Sequence, residues 1–149
     1  MMERLELAVP TLFGLEGLAA DELRRLGLKD VRADNGRVYC AASPGDIPRV
    51  NLNLRTGERV LLLLGQFPAR DFYALFEGVR ALPWEDFLPR DGAFPVKGHC
   101  LSSALHAVPA CQSIVKKAVA ARLGEKYGLE RLPETGAIYQ VQFSILRDT

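Results

Sequence analysis

Long apolar runs are missing from this chain: stretches such as Val60 to Leu64 fall far short of the roughly 20 residues that a membrane-spanning helix needs. The opening residues, Met1 to Glu6, carry acids where a secretory leader has its basic region. Cysteine is scarce and odd in number. The spacing of Cys40, Cys100 and Cys111 fits neither a paired disulfide framework nor C-x-x-C metal geometry, so reduced thiols are expected. Internal repeats and low-complexity stretches are absent as well. A dominant charge is also lacking, because 19 Lys and Arg against 18 Asp and Glu leave only +1, too little for the whole chain to attract nucleic acid. Any basic site must be local. Together these absences predict a cytoplasmic chain with no membrane partner and no resident metal.

What is present is a globular composition: 149 residues, 48% hydrophobic and 25% charged, enough for one sizeable core or two small ones. Leu5, Leu7 and Val9 alternate with polar or small residues, as in a half-buried strand closed by Pro10. Leu15, Leu18, Leu23 and Leu26 then fall on one helical stripe, with Gly27 placed to end it. Two extended runs, 30–33 and 37–41, flank Asn35-Gly36, a tight-hairpin signal. Ser43-Pro44-Gly45-Asp46 opens a second helix through Ile47, Val50 and Leu54, with Ser43 as its cap. The apolar run from Glu58 to Phe67 is expected to be a central strand. Strand, helix, strand, strand, helix, strand is the βαββαβ order of a ferredoxin-like unit, here residues 1–67.

A second unit, residues 68–149, restarts the pattern. Asp71 caps a predicted helix through Phe72, Leu75, Phe76 and Val79, which Leu82-Pro83-Trp84-Glu85 stops. Phe94 to Val96 is a short extended piece, 98–109 reads as a polar loop, and 110–123 as a helix. In the final segment Tyr139, Val141, Phe143 and Ile145 form one apolar strand face. The fold class is therefore α+β. No element closes the last sheet, which predicts that the second unit is incomplete.

Charge is concentrated between residues 95 and 131, where Lys97, Lys116, Lys117, Arg122, Lys126 and Arg131 face only Glu125 and Glu130. Lysines beside small polar groups (His99, Ser102, Ser103) and a helix start carrying Gln112 and Ser113 are chemistry suited to gripping phosphates without reading bases. The candidate RNA-binding set is thus Lys97, His99, Ser102, Ser103, Gln112, Lys116, Lys117 and Arg122. The alternative is that the lysines are the solvated face of an amphipathic helix. His99 and His106 near Cys100 and Cys111 match no usual zinc spacing and make a weak Cys-His nucleophile pair. Gly14 and Gly17 lack the third glycine of a dinucleotide loop and are better explained as a helix-entry turn. Trp84 and Phe87, flanked by prolines, suit a loop pinned to a core more than a base-stacking site.

Leu12-Phe13-Gly14-Leu15-Glu16, Asn51-Leu52-Asn53-Leu54-Arg55-Thr56, Leu82-Pro83-Trp84-Glu85, the stretch from Val108 to Ala118 and Glu134-Thr135-Gly136 together resemble the THUMP-containing, S-adenosylmethionine-dependent RNA methyltransferases of the large-subunit rRNA guanine-N2 group. The resemblance implies a ferredoxin-like unit followed by a THUMP unit that holds structured RNA, rRNA in that group, for a Rossmann-like catalytic domain further along. The glycine-rich cofactor loop and the Asn-Pro-Pro-Tyr-like motif of that domain do not occur in these residues. S-adenosylmethionine is thus expected in the missing catalytic domain and no cofactor in this chain, which carries no catalytic residue. Two departures stand out: Gly98-His99-Cys100 replaces the usual Gly-Lys-Ser, and Ala110 replaces an Asp. The lost lysine shifts the expected phosphate grip toward Lys97, Lys116 and Lys117. The competing readings are a ferredoxin-like protein-interaction scaffold and the THUMP module of a tRNA-modifying enzyme.

Overall fold

Leu7, Val9, Val38 and Cys40 exclude solvent completely, which places the first and third strands at the centre of a sheet. A computed structural model describes residues 4–101, 103–105 and 107–149, so Ser102 and His106 lie outside the described residues. The chain forms two units, 1–64 and 65–149.

In the first unit, β1 (Leu5–Pro10), α1 (Glu16–Arg25), β2 (Lys29–Asp34), β3 (Arg37–Ala42), α2 (Asp46–Asn53) and β4 (Leu61–Leu62) follow the ferredoxin-like order. The sheet runs β2-β3-β1-β4 with every pairing antiparallel. Helix α1 ends in a Schellman cap: Gly27 N–H donates to the Arg24 carbonyl at 3.0 Å and Leu28 N–H to that of Leu23 at 3.1 Å. Gly27 takes a φ of 85°, which a side chain would strain.

Three expectations need correction here. The apolar run read as a central strand gives a two-residue edge strand, because only Leu61 and Leu62 pair with β1. Leu18 does not join the buried stripe and is 53% exposed; Ala19, Ala20 and Leu23 are the buried residues. Small alanines let α1 lie close to the sheet, which rotates Leu18 outward. Ser43 is not the cap acceptor; its N–H and hydroxyl both donate to Asp46, at 2.9 and 3.0 Å, and with Arg49, 2.8 Å away, they hold that carboxyl down to about 2.

The Asn51–Thr56 segment is fixed by Glu22 of α1, which accepts from the Arg55 N–H at 2.9 Å, the Thr56 N–H at 2.9 Å and the Thr56 hydroxyl. The turn after α2 is thereby tied back to α1.

The second unit comprises α3 (Phe72–Arg80), a 3-10 turn (Trp84–Asp86), β5 (Val96–Leu101), α4 (Val108–Tyr127) and β6 (Val141–Leu146). Strands β5 and β6 are parallel and joined through α4, a βαβ unit. Asp71 caps α3 as expected, accepting from the Ala74 N–H at 2.7 Å. The stretch read as a loop from 98 is a strand as far as Leu101, and Gly98 is needed for its pairing. A Cβ there would sit 2.3 Å from the Phe143 carbonyl oxygen. Leu23→Ala should lower unfolding free energy by about 3 kcal/mol through transfer and cavity losses, measured by urea titration, whereas Leu18→Ala should change it by less than about 1 kcal/mol.

Candidate nucleic-acid interface

Helix α4 buries Cys111, Val115, Ala118, Val119 and Leu123, a stripe at helical spacing, and its first turn begins at Val108. Gln112 and Ser113 are therefore past the helix start, not at it. Gln112 donates through Nε2 to the Val96 carbonyl at 3.3 Å, so its amide fastens the helix to β5.

The basic residues of this region divide by what they touch. Arg122 forms a bidentate pair with Glu85, Nε to Oε2 at 2.9 Å and Nη2 to Oε1 at 2.7 Å, with both side chains only 21% exposed. The guanidinium holds the Glu85 carboxyl down to about 2. Tyr127 adds a 2.6 Å bond to the Leu88 carbonyl, and Trp84 donates to that of Val79 at 2.7 Å. The Leu82-Pro83-Trp84-Glu85 block is thus a latch between α3 and α4, consistent with the loop-pinning role expected for Trp84.

Lys116 is also engaged. Its Nζ donates to the Phe94 carbonyl at 3.0 Å and to Glu134 at 2.5 Å, and lies 3.7 Å from the centre of the Phe94 ring. Its neighbour Lys117 is exposed beside an open groove lined by Ala120, Ala121, Gly124, Leu129, Glu125 and Glu130. Two adjacent lysines therefore do different work.

Lys97 and His99 alternate with half-buried residues along β5 and stand on its exposed face. His99 Nε2 and Ser144 Oγ are 2.8 Å apart across the strand pair. Ser103 closes the far end of β5, donating to Asp148 at 2.9 Å, and Asp148 also takes the Ala104 N–H at 2.8 Å. Those two bonds hold the Asp148 carboxyl below its ordinary value, the Ala104 amide contributing most. Of the eight candidate residues, Lys97, His99 and Ser103 share one strand and its end. Lys116 and Gln112 hold its start, Lys117 is exposed on α4, Arg122 serves the latch, and Ser102 is outside the described residues.

No metal cluster of three or more His, Cys, Asp or Glu side chains exists among the described residues. Cys100 and Cys111 are free, with their sulfurs 3.8 Å apart. Burial pushes the Cys111 thiol up to about 11, which suits a packed thiol rather than a nucleophile. At the helix-entry turn, the Gly14 N–H is taken by Glu16 at 2.9 Å, so that amide is not offered to a phosphate.

Residues 69–149 match the model of the THUMP domain, and residues 6–61 that of the RlmL ferredoxin-like domain. The chain belongs to the THUMP-domain family. Among its relatives, YpsC of Bacillus subtilis, named as a candidate RNA methyltransferase, is 39% identical over 99% of this chain and 38% of its own length. Ribosomal RNA large subunit methyltransferase K/L of Pseudomonas putida is 35% identical over 87% of this chain and 18% of its own. Among solved structures, SMU.472, a candidate methyltransferase complexed with SAH, superposes with a TM-score of 0.93 at 38% identity, covering 99% of this chain and 40% of that one. A Listeria monocytogenes protein titled a predicted N6-adenine-specific DNA methylase gives 0.94 at 45% identity, covering 99% and 39%. The chain thus spans less than half the length of these relatives. No helix among the described residues is long and apolar enough to cross a membrane.

The latch predicts a pH signature. Glu85 ionises near 2 when folded against 4.5 ordinarily, so its stabilisation is complete above about pH 4.5 and is lost as pH falls toward 2. Glu85→Gln should lower the Tm by roughly 2–5 °C at pH 7, and the gap from the parent chain should narrow between pH 4.5 and 2. A gap that stays constant with pH would remove the ion pair from the account. Lys116→Ala should also lower the Tm while Lys117→Ala leaves it within about 1 °C, both read by thermal melts.

Proposed function

We propose that this chain is the RNA-holding part of an RNA methyltransferase. It would bind structured RNA through the outer face of β5 and the exposed side of α4 and present it to a catalytic domain elsewhere in the protein. The observation that carries this reading is the match of residues 69–149 to the THUMP domain. In this proposal Lys97, His99 and Lys117 contact phosphates directly, and Ser103 lies at the strand's far end. Lys116, Gln112 and Arg122 support the surface rather than form it, because each is spent on a partner within the fold.

The finer reading is large-subunit rRNA as the RNA and guanine N2 as the methylated position. Its support is the likeness to methyltransferase K/L and the block of ferredoxin-like residues that accompanies the THUMP unit. The name of the Listeria relative points to DNA adenine instead. A THUMP unit with lysines on a strand face favours RNA over that alternative. S-adenosylmethionine would supply the methyl group in the catalytic domain. The residues of this chain do not fit that cofactor, since its one short glycine pair opens α1 and the Gly14 amide is taken by Glu16.

The test is binding of this chain to an rRNA hairpin and to tRNA at two salt concentrations, by fluorescence anisotropy. Lys97→Ala with Lys117→Ala should weaken binding by about tenfold at 100 mM salt and flatten the log-log salt slope by about 2, with circular dichroism unchanged. Binding to neither RNA would favour the scaffold reading, and equal binding by the double variant would move the site elsewhere.

A further inference from the structure

The start of α3 presents aromatic surface that packing does not require. Tyr73 is 75% exposed and Phe72 43%, although both sit in the first turn of a helix whose buried residues are Leu75 and Val79. Arg70 stands two residues before Phe72, across the capping Asp71, and its side chain is 84% exposed. Among the described residues its one ion pair is a 3.8 Å approach to Asp148, a contact too exposed and too long to hold it.

These residues are not remote from the candidate interface. Asp148 bridges the two: its backbone carbonyl accepts from the Ala69 N–H at 2.7 Å, and its carboxylate accepts from Ser103 and Ala104. The approach to α3 is therefore tied to the end of β5, the strand that carries Lys97 and His99. The nearby acids are committed to backbone: Asp71 caps α3 through the Ala74 N–H, and Asp148 holds the turn at Ser103 and Ala104.

We infer that Tyr73, flanked by Phe72 and Arg70, is a stacking platform for an unpaired base of the bound RNA. The base lies on the Tyr73 ring while Arg70 meets the adjoining phosphate. This rests on the RNA-binding reading and narrows its substrate class to RNA with a single-stranded segment beside a helix. A ring face accepts any base, and base-aromatic stacking contributes about 1–3 kcal/mol per base, so the platform supplies affinity without sequence choice. A protein partner would also suit tyrosine and arginine, but the link to the lysine-bearing strand favours RNA.

The experiment compares a hairpin RNA carrying a single-stranded 3′ overhang, with 2-aminopurine in the overhang, against a blunt duplex of the same stem, using the full 149-residue chain. Tyr73→Ser and Tyr73→Leu should weaken binding of the overhang RNA about tenfold and abolish the change in 2-aminopurine fluorescence. Tyr73→Phe should retain both, and blunt-duplex binding should be unchanged in every variant. Arg70→Ala should flatten the salt slope for the overhang RNA by about 1. Overhang binding and fluorescence that are indifferent to Tyr73→Ser and Tyr73→Leu would overturn the platform. If Lys97→Ala with Lys117→Ala still weakened binding, the RNA-holding reading would stand. Equal losses for overhang and blunt RNA would also overturn stacking, and no RNA binding by the parent chain would overturn both.

Discussion

Everything in the second unit depends on how α4 is held. Its buried stripe supplies the apolar association, but a stripe of Cys111, Val115, Ala118, Val119 and Leu123 alone leaves the helix free to slide along a two-stranded sheet. Polar contacts remove that freedom at three heights. Gln112 bonds the Val96 backbone near the helix start, Lys116 joins Phe94 and Glu134 one turn later, and Arg122 with Tyr127 grips the 84–88 region near the end. Each of these bonds ends on a backbone carbonyl or a carboxylate that is itself fixed. The strand β5 therefore starts at a defined height, and the direction in which Lys97 and His99 point follows from it.

That arrangement also explains why the charge pattern of the sequence overstates the basic surface. Six cations against two acids between residues 95 and 131 suggest a continuous patch, yet two of those cations are neutralised by acids that lie outside the counted window. Glu85 answers Arg122 and Glu134 answers Lys116. Pairing of that kind is set by tertiary distance, which no spacing along the chain reveals. A signal did exist for Arg122: its partner belongs to the Leu82-Pro83-Trp84-Glu85 block, whose residue types make sense as a latch once an arginine is opposite.

The sequence was most legible where a local rule acts alone. The β1 alternation, the Gly27 cap and the Asp71 cap each depend on residues within a few positions, and they appear where the pattern places them. Legibility failed where neighbours from far along the chain decide. Whether Leu61 and Leu62 form a central or an edge strand depends on what else pairs with β1. Whether 98–101 is loop or strand depends on β6, more than 40 residues later, because parallel strands have no local turn to announce them. Polar residues such as Lys97 and His99 on the exposed face of a strand look like loop composition until the partner strand is known.

A chain of almost zero net charge can still hold a polyanion if its cations are sorted rather than numerous. Counterion release scales with the phosphates actually neutralised, so a few lysines on one face count for more than many spread evenly. Here the sorting is done by the internal pairs: Arg122 and Lys116 are withdrawn into the fold, which leaves exposed cations such as Lys97 and Lys117 to face solvent. In the proposed binding mode so few phosphate contacts would give modest, salt-sensitive affinity, and that is a reason for a sequence-tolerant contact of another kind. Stacking adds affinity without a further charge, and in the inferred platform the exposed Tyr73 would supply it. Weak electrostatics and an uncharged anchor would thus be complementary consequences of one constraint, a helix two of whose four cations, Lys116 and Arg122, are needed to hold it in place.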